Sequence, residues 1–216
     1  MCGKGGNISK FSFECYSFAV HKIIGLIQNE MHNLSILHLS VHQLQNFGEL
    51  LLPNLVELIL YISDESDERF RLKSVCPTLH KLGLDITNIS ESQLFDFICN
   101  FPNVKEMDFQ WTQSIFSSRI INGLRRMKSL RYLTMRSNGY RNVTEDMVEG
   151  VISVVECLKS VKRFYIRNTD FDDVEETDYF LEKINEIAIS TPEQLFELQV
   201  YPTPTIRTIA PNVTLI

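Results

Sequence analysis

The residues best placed to do chemistry fall in two short segments. Arg131, Tyr132, Thr134 and Arg136 lie close together, and Lys162, Arg163, Tyr165 and Arg167 repeat the arrangement 31 positions later, so Arg136 and Arg167 should be near neighbours in one column. Together they bring five cations and two tyrosines to a chain whose net charge is −6. The arginine fork matches the oxygens of carboxylate and phosphate, so these side chains suit an acidic or phosphorylated segment of a protein partner. The competing reading is a hydrated surface whose charge is balanced by nearby acids. Trp111 is a further binding candidate, because tryptophan is enriched as an interface anchor; packing within its own loop is the alternative.

Other combinations lead nowhere comparable. His38 and His42 stand four apart, the spacing of two metal ligands on a helix. Their segment reads as strand and turn, and no third ligand accompanies them. No Ser/His/Asp order, phosphate-binding glycine loop or paired carboxylates can be assembled. No catalytic residue, cofactor or metal is expected, and the chain is read as a non-enzyme. The acidic run Asp64-Glu65-Ser66-Asp67-Glu68 reads as a hydrated loop leading into a helix, whose N-terminus favours acids; phosphorylation of Ser66 is the alternative.

The elements that must position these residues show themselves as a repeat. Leu79, Leu82 and Leu84 set a pattern apolar-x-x-apolar-x-apolar that Val104, Met107 and Phe109 repeat 25 residues later. The same pattern occurs at Ile8/Phe11/Phe13, Leu34/Leu37/Leu39, Leu55/Leu58/Leu60, Leu130/Leu133/Met135, Val161/Phe164/Ile166 and Leu195/Leu198/Val200. Eight lines in an ordered series at intervals of 21 to 34 residues mark a stacked array of short strands. Three positions beyond each line stand Tyr16, His42, Ser63, Thr87, Thr112, Asn138, Thr169 and Thr203, mostly small polar residues expected to bond the turning backbone.

Helical segments are expected between the lines. Ser90-Glu91-Ser92-Gln93 reads as a capping box ahead of Leu94, Phe95, Phe97 and Ile98. Thr144 offers an N-cap to a helix with Val148, Val151, Val154 and Val155 on one face, and Cys157 is read as part of its core side. Asp173-Val174-Glu175-Glu176 opens a last helix burying Phe180, Leu181, Ile184 and Ile187. Pro53, Pro77, Pro102 and Pro192 each precede a line, where they should end the preceding helix.

Composition narrows the setting. With 44% apolar and 22% charged residues the chain is an ordinary globular one. Its acidity argues against nucleic acid as partner. No apolar run is long enough for a membrane span, and the first residues lack the core of an export signal. Five scattered cysteines read as reduced, mostly buried thiols. A cytoplasmic or nuclear protein is expected.

Cys76-Pro77-Thr78-Leu79-His80-Lys81-Leu82-Gly83-Leu84-Asp85-Ile86-Thr87-Asn88-Ile89-Ser90 resembles the leucine-rich repeat family, in its cysteine-containing and ribonuclease-inhibitor-like branches. The likeness is greatest to the repeat region of F-box/leucine-rich-repeat proteins and covers residues 8 to about 200. It implies an α/β solenoid over residues 1–216, with a parallel concave sheet, convex helices and about eight irregular repeats. It also implies non-catalytic protein–protein recognition, in the leading case as substrate receptor of an SCF-type, cullin-based ubiquitin ligase. No F-box stands ahead of the repeats in this chain, so a Skp adaptor is expected only if an F-box lies outside it. The alternative is an interaction scaffold or regulator, for example of a small GTPase or a cytoskeletal partner. Apolar residues near both ends, from Phe11 and Phe13 to Val213, Leu215 and Ile216, lead us to expect a longer array or covered edges.

Overall fold

A computed structural model describes residues 8–15, 20–41, 49–62, 73–86, 91–110, 117–137 and 145–216. Two compact units form, Met1–Lys105 and Glu106–Ile216. Both are α/β, with all strands parallel.

In the first unit the main sheet contains β1 (Lys10–Cys15), β2 (Ile36–Val41), β4 (Glu57–Ile62) and β6 (Lys81–Ile86), in that spatial order. Alternate side chains of a strand point to opposite faces, so the apolar residues of each line share one side. The register places Phe11, Leu37, Leu58 and Leu82 in one ladder and Phe13, Leu39, Leu60 and Leu84 in the next. All of these leucines are buried, and the stacked rings of Phe11 and Phe13 are half-buried. α1 (Val20–Glu30) contributes Ile24 and Ile27 to this core, and α2 (Glu91–Cys99) contributes Leu94 and Ile98.

Two connections here differ from the helices expected. β3 (Glu49–Leu51) pairs with β5 (Lys73–Val75) in a small separate sheet. Pro53 and Pro77 therefore follow short strands, while Pro102 and Pro192 do follow helices. The interval from Leu34 to Leu55 is the shortest in the series, 21 residues, which leaves little room for a helix and its turns. The acidic run 64–68 lies outside the described residues; the next described stretch after it is β5.

In the second unit the sheet runs β7 (Glu106–Gln110), β8 (Tyr132–Arg136), β9 (Arg163–Asp170), β10 (Leu195–Tyr201) and β11 (Val213–Leu215). Helices α3 (Ser118–Arg126), α4 (Glu145–Cys157) and α5 (Val174–Ser190) lie between successive strands. Ser117 caps α3 by accepting from the Ile120 N–H, and Asp173 caps α5 by accepting from the Glu176 N–H. Val148, Val151, Val154 and Val155 of α4 are buried, as are Phe180, Leu181, Ile184 and Ile187 of α5. Met107, Leu133, Phe164 and Phe196 form the central ladder, and the Phe164 and Phe196 rings stack at 5.4 Å. Such a pair contributes about 0.5–1.5 kcal/mol beyond its buried area.

The last line is read differently by the structure. Phe196 and Leu198, not Leu198 and Val200, pair with Phe164 and Ile166. The cause lies in the turn before β10. In six lines the first apolar residue donates its N–H to a carbonyl three residues back, as Leu130 does to Met127 and Val161 to Leu158. Before β10 this place is taken by Gln194, bonded to the Thr191 carbonyl, with one residue fewer before the first inward side chain. Leu195, expected in the core, is consequently 41% exposed. Gln194 is buried and donates its amide to the Leu158 and Val161 carbonyls at 3.1 and 2.8 Å.

Thr169 is a second departure. It lies within the described residues, it is fully buried, and its Oγ1 has no hydrogen-bond partner there, rather than bonding the turning backbone. The preceding Asn168 adopts φ 55° and adds one residue to β9 relative to β10, a bulge for which asparagine is suited. Polar side chains do bond turn carbonyls, but from another position, immediately before the line. Asn54 donates to the His32 carbonyl, Thr78 to those of Pro53 and Leu55, and Asn212 to those of Ala188, Thr191 and Gln194.

The cysteines also correct the sequence reading. Among the described cysteines Cys76 is buried, Cys99 is exposed and Cys157 is partly exposed. Cys157 ends α4 and accepts from Arg125 Nη2 at 2.9 Å, so it belongs to the surface of the helical layer rather than to the core. No helix among the described residues is long and apolar enough to cross a membrane.

Candidate interaction surface

The outward side chains of β7 to β10 form rows across the strands of the second unit. The first row is Glu106, Tyr132, Arg163 and Leu195; the second is Asp108, Thr134, Tyr165 and Glu197. The third is Gln110, Arg136 and Arg167. The expected neighbourhood of Arg136 and Arg167 is thus present as a direct register pair.

The five cations separate into distinct roles. Arg131 precedes β8, and its Nη1 donates to the Lys128 and Leu130 carbonyls at 2.8 and 2.9 Å. A longer 3.5 Å bond reaches the Ser160 carbonyl, so this guanidinium closes the turn rather than presenting itself outward. Arg136 Nε bonds Asp108 Oδ1 at 2.7 Å across β7 and β8. Arg163 donates to the Tyr165 hydroxyl at 3.1 Å and stands 3.8 Å from Glu197. Its pKa is raised, first by the bond to Tyr165, so its charge is retained. Arg167 is exposed and lies 5.2 Å from the centre of the Tyr165 ring, with Arg163 on the same ring at 5.9 Å. Lys162 is exposed, and neither it nor Arg167 has an ion-pair partner among the described residues.

Balance by nearby acids therefore describes Arg136 fully and Arg163 in part, while Arg167 and Lys162 stand outside it. Tyr132 is 42% exposed on the same face. Two contributors were missed from sequence. Leu195 was assigned to the core by the two-residue register difference, and Tyr201 is 50% exposed at the end of β10. The signal available for Leu195 was Gln194, a polar residue at a position otherwise held by Ile, Leu or Val. Trp111 lies outside the described residues, as does His42.

On the first unit three outward charges meet across β2, β4 and β6. Glu57 accepts from His38 Nε2 at 2.8 Å and pairs with Lys81 Nζ at 3.3 Å. Burial pushes the Glu57 carboxyl up, but the bonds to His38 and Lys81 outweigh it and hold the pKa below the ordinary value. Beside them Ile59 covers Gly83, where an added Cβ would stand 3.2 Å from Ile59 Cγ1. Among the described residues no group of three His, Cys, Asp or Glu is placed to hold a metal ion.

The basic and aromatic face presents guanidinium forks and aromatic rings on a parallel sheet. Neither a family model nor a curated protein matches this chain.

Proposed function

We propose that this chain is a leucine-rich-repeat solenoid that recognises a protein partner without catalysing a reaction, and that the partner docks on the outward sheet face of residues 106–216. The observation that carries this is the exposure of Tyr132, Leu195 and Tyr201 on one face with Arg163 and Arg167. Tyrosine and arginine are the residues over-represented where protein interfaces concentrate their binding energy. The ladder of buried leucines and phenylalanines supports the repeat assignment, since each coil buries its apolar side against its neighbours.

The specific role we favour is substrate recognition for an SCF-type ubiquitin ligase; an interaction scaffold or regulator is the second reading. Affinity purification of the full-length protein with mass spectrometry tests both levels. A reproducible partner should be captured by wild type and lost with the double substitution Tyr132→Ala, Leu195→Ala. An identical partner set in the two samples overturns the docking face. Recovery of a Skp adaptor and a cullin favours the ligase role, and their absence beside a retained partner favours the scaffold.

A further inference from the structure

We infer that Arg163 and Arg167, with Tyr165 between them, hold the phosphate of a phosphorylated polypeptide segment lying across the strands, its apolar side chains resting on Tyr132 and Leu195. This rests on the recognition reading above and specifies the ligand of the same face.

The structure reduces the cations to those able to serve. Arg131 is committed to main-chain carbonyls and Arg136 to Asp108, which leaves Lys162, Arg163 and Arg167, and of these the two arginines both lie against the Tyr165 ring. Contact with the ring limits the freedom of both guanidinium groups before a ligand arrives, so less order must be imposed on binding. A single carboxylate occupies one fork, and Glu197, 3.8 Å from Arg163, already offers one. A phosphate carries up to about two negative charges and three acceptor oxygens, so it can engage both forks where a second carboxylate would add little. Clusters of arginine are a recurring means of reading phosphorylated segments.

The apolar contacts set a direction. Tyr132, Arg163 and Leu195 are register partners on three consecutive strands, so the two exposed apolar side chains flank the arginine. Strands about 4.8 Å apart place them roughly 9.6 Å from one another. A segment in polyproline-II geometry returns to the same face every third residue, about 9.3 Å along. The expected ligand therefore carries two apolar residues three positions apart, with the phosphorylated residue beside them.

The test uses nine-residue peptide libraries whose centre is fixed as phosphoserine, phosphotyrosine, serine or glutamate, all other positions being varied. Each is passed over the immobilised full chain and the retained peptides are sequenced. At least one phosphorylated library should be retained about tenfold or more over those centred on serine and glutamate, with apolar residues enriched at a spacing of three. Arg167→Ala, at an exposed position, should remove that margin, while Arg136→Ala should change it by less than about threefold. Equal retention of glutamate and phosphorylated centres, no retention of any, or indifference to Arg167→Ala overturns the inference. Capture of a cellular partner that depends on Tyr132 and Leu195 but survives phosphatase treatment sinks the phosphate and leaves the recognition reading standing.

Discussion

Glu57 of the first unit lies between His38 and Lys81, and Ile59 lies over Gly83, so these outward groups of β2, β4 and β6 meet one another, while Tyr61 on β4 stands exposed. On residues 106–216 the strands repeat the same ladder, yet Arg167 has a ring and no acid partner among the described residues, and both Tyr132 and Leu195 stand exposed. The inward sides are alike because every coil must bury leucine-sized residues against the next. The outward sides are under no such demand. Stability thus fixes one face of each strand and leaves the other free to vary, and in the second unit that freedom places Arg167 against a ring while Arg136 and Arg163 meet acids.

Substitutions can break this contrast or sharpen it. The largest effect should come from testing which side of β10 is buried. Phe196→Ala should lower unfolding free energy by about 3–5 kcal/mol, whereas Leu195→Ala should stay within about 0.5 kcal/mol, both read from urea denaturation. A large loss at Leu195 would return that residue to the core and remove it from the docking face. Next in size, Gly83→Val should cost about 1–3 kcal/mol, because its side chain must displace Ile59. Thr134→Val, on the outward face of the second unit, should change stability by no more than about 0.5 kcal/mol.

The smallest effect concerns acid. Glu57 has a folded pKa below its ordinary value, so it binds fewer protons folded than unfolded as the pH falls through that range. Its stabilisation is present above the unfolded pKa near 4.5 and is lost as pH falls through the depressed folded value. Wild type should therefore lose its advantage over Glu57→Gln between neutral pH and the acid side of that interval, in urea titrations repeated across pH. A constant difference would show that the contacts with His38 and Lys81 leave the folded carboxyl unperturbed.

Much of the fold was legible because the inward ladder uses apolar residues at fixed spacing, and six of the eight lines bury the expected set of residues, while in the first line Ile8 is exposed and Phe11 and Phe13 are half-buried. The eighth slipped because Leu195, Leu198 and Val200 satisfy the pattern as written, while Phe196 and Leu198 satisfy it in three dimensions with one residue fewer after the turn. Apolar spacing alone cannot choose between these; the buried amide of Gln194 decides it. Likewise the three-residue strands Glu49–Leu51 and Lys73–Val75 are too short for any periodicity to declare itself. At the candidate surface, sequence placed Arg136 beside Arg167, but ion pairs are settled by side-chain reach across strands. Nothing in the local pattern told that Arg136 would meet Asp108 while Arg167 met a ring.

The polar side chains in the turns before β6, β10 and β11 have a directional consequence. Thr78 completes the carbonyls of Pro53 and Leu55, Gln194 those of Leu158 and Val161, and Asn212 those of Ala188, Thr191 and Gln194. In each case the donor belongs to the later coil and the acceptors to the earlier one. During synthesis a coil thus remains unfinished until its successor emerges, and when the chain frays from its distal side the newly bared peptide groups are those of the coil left behind.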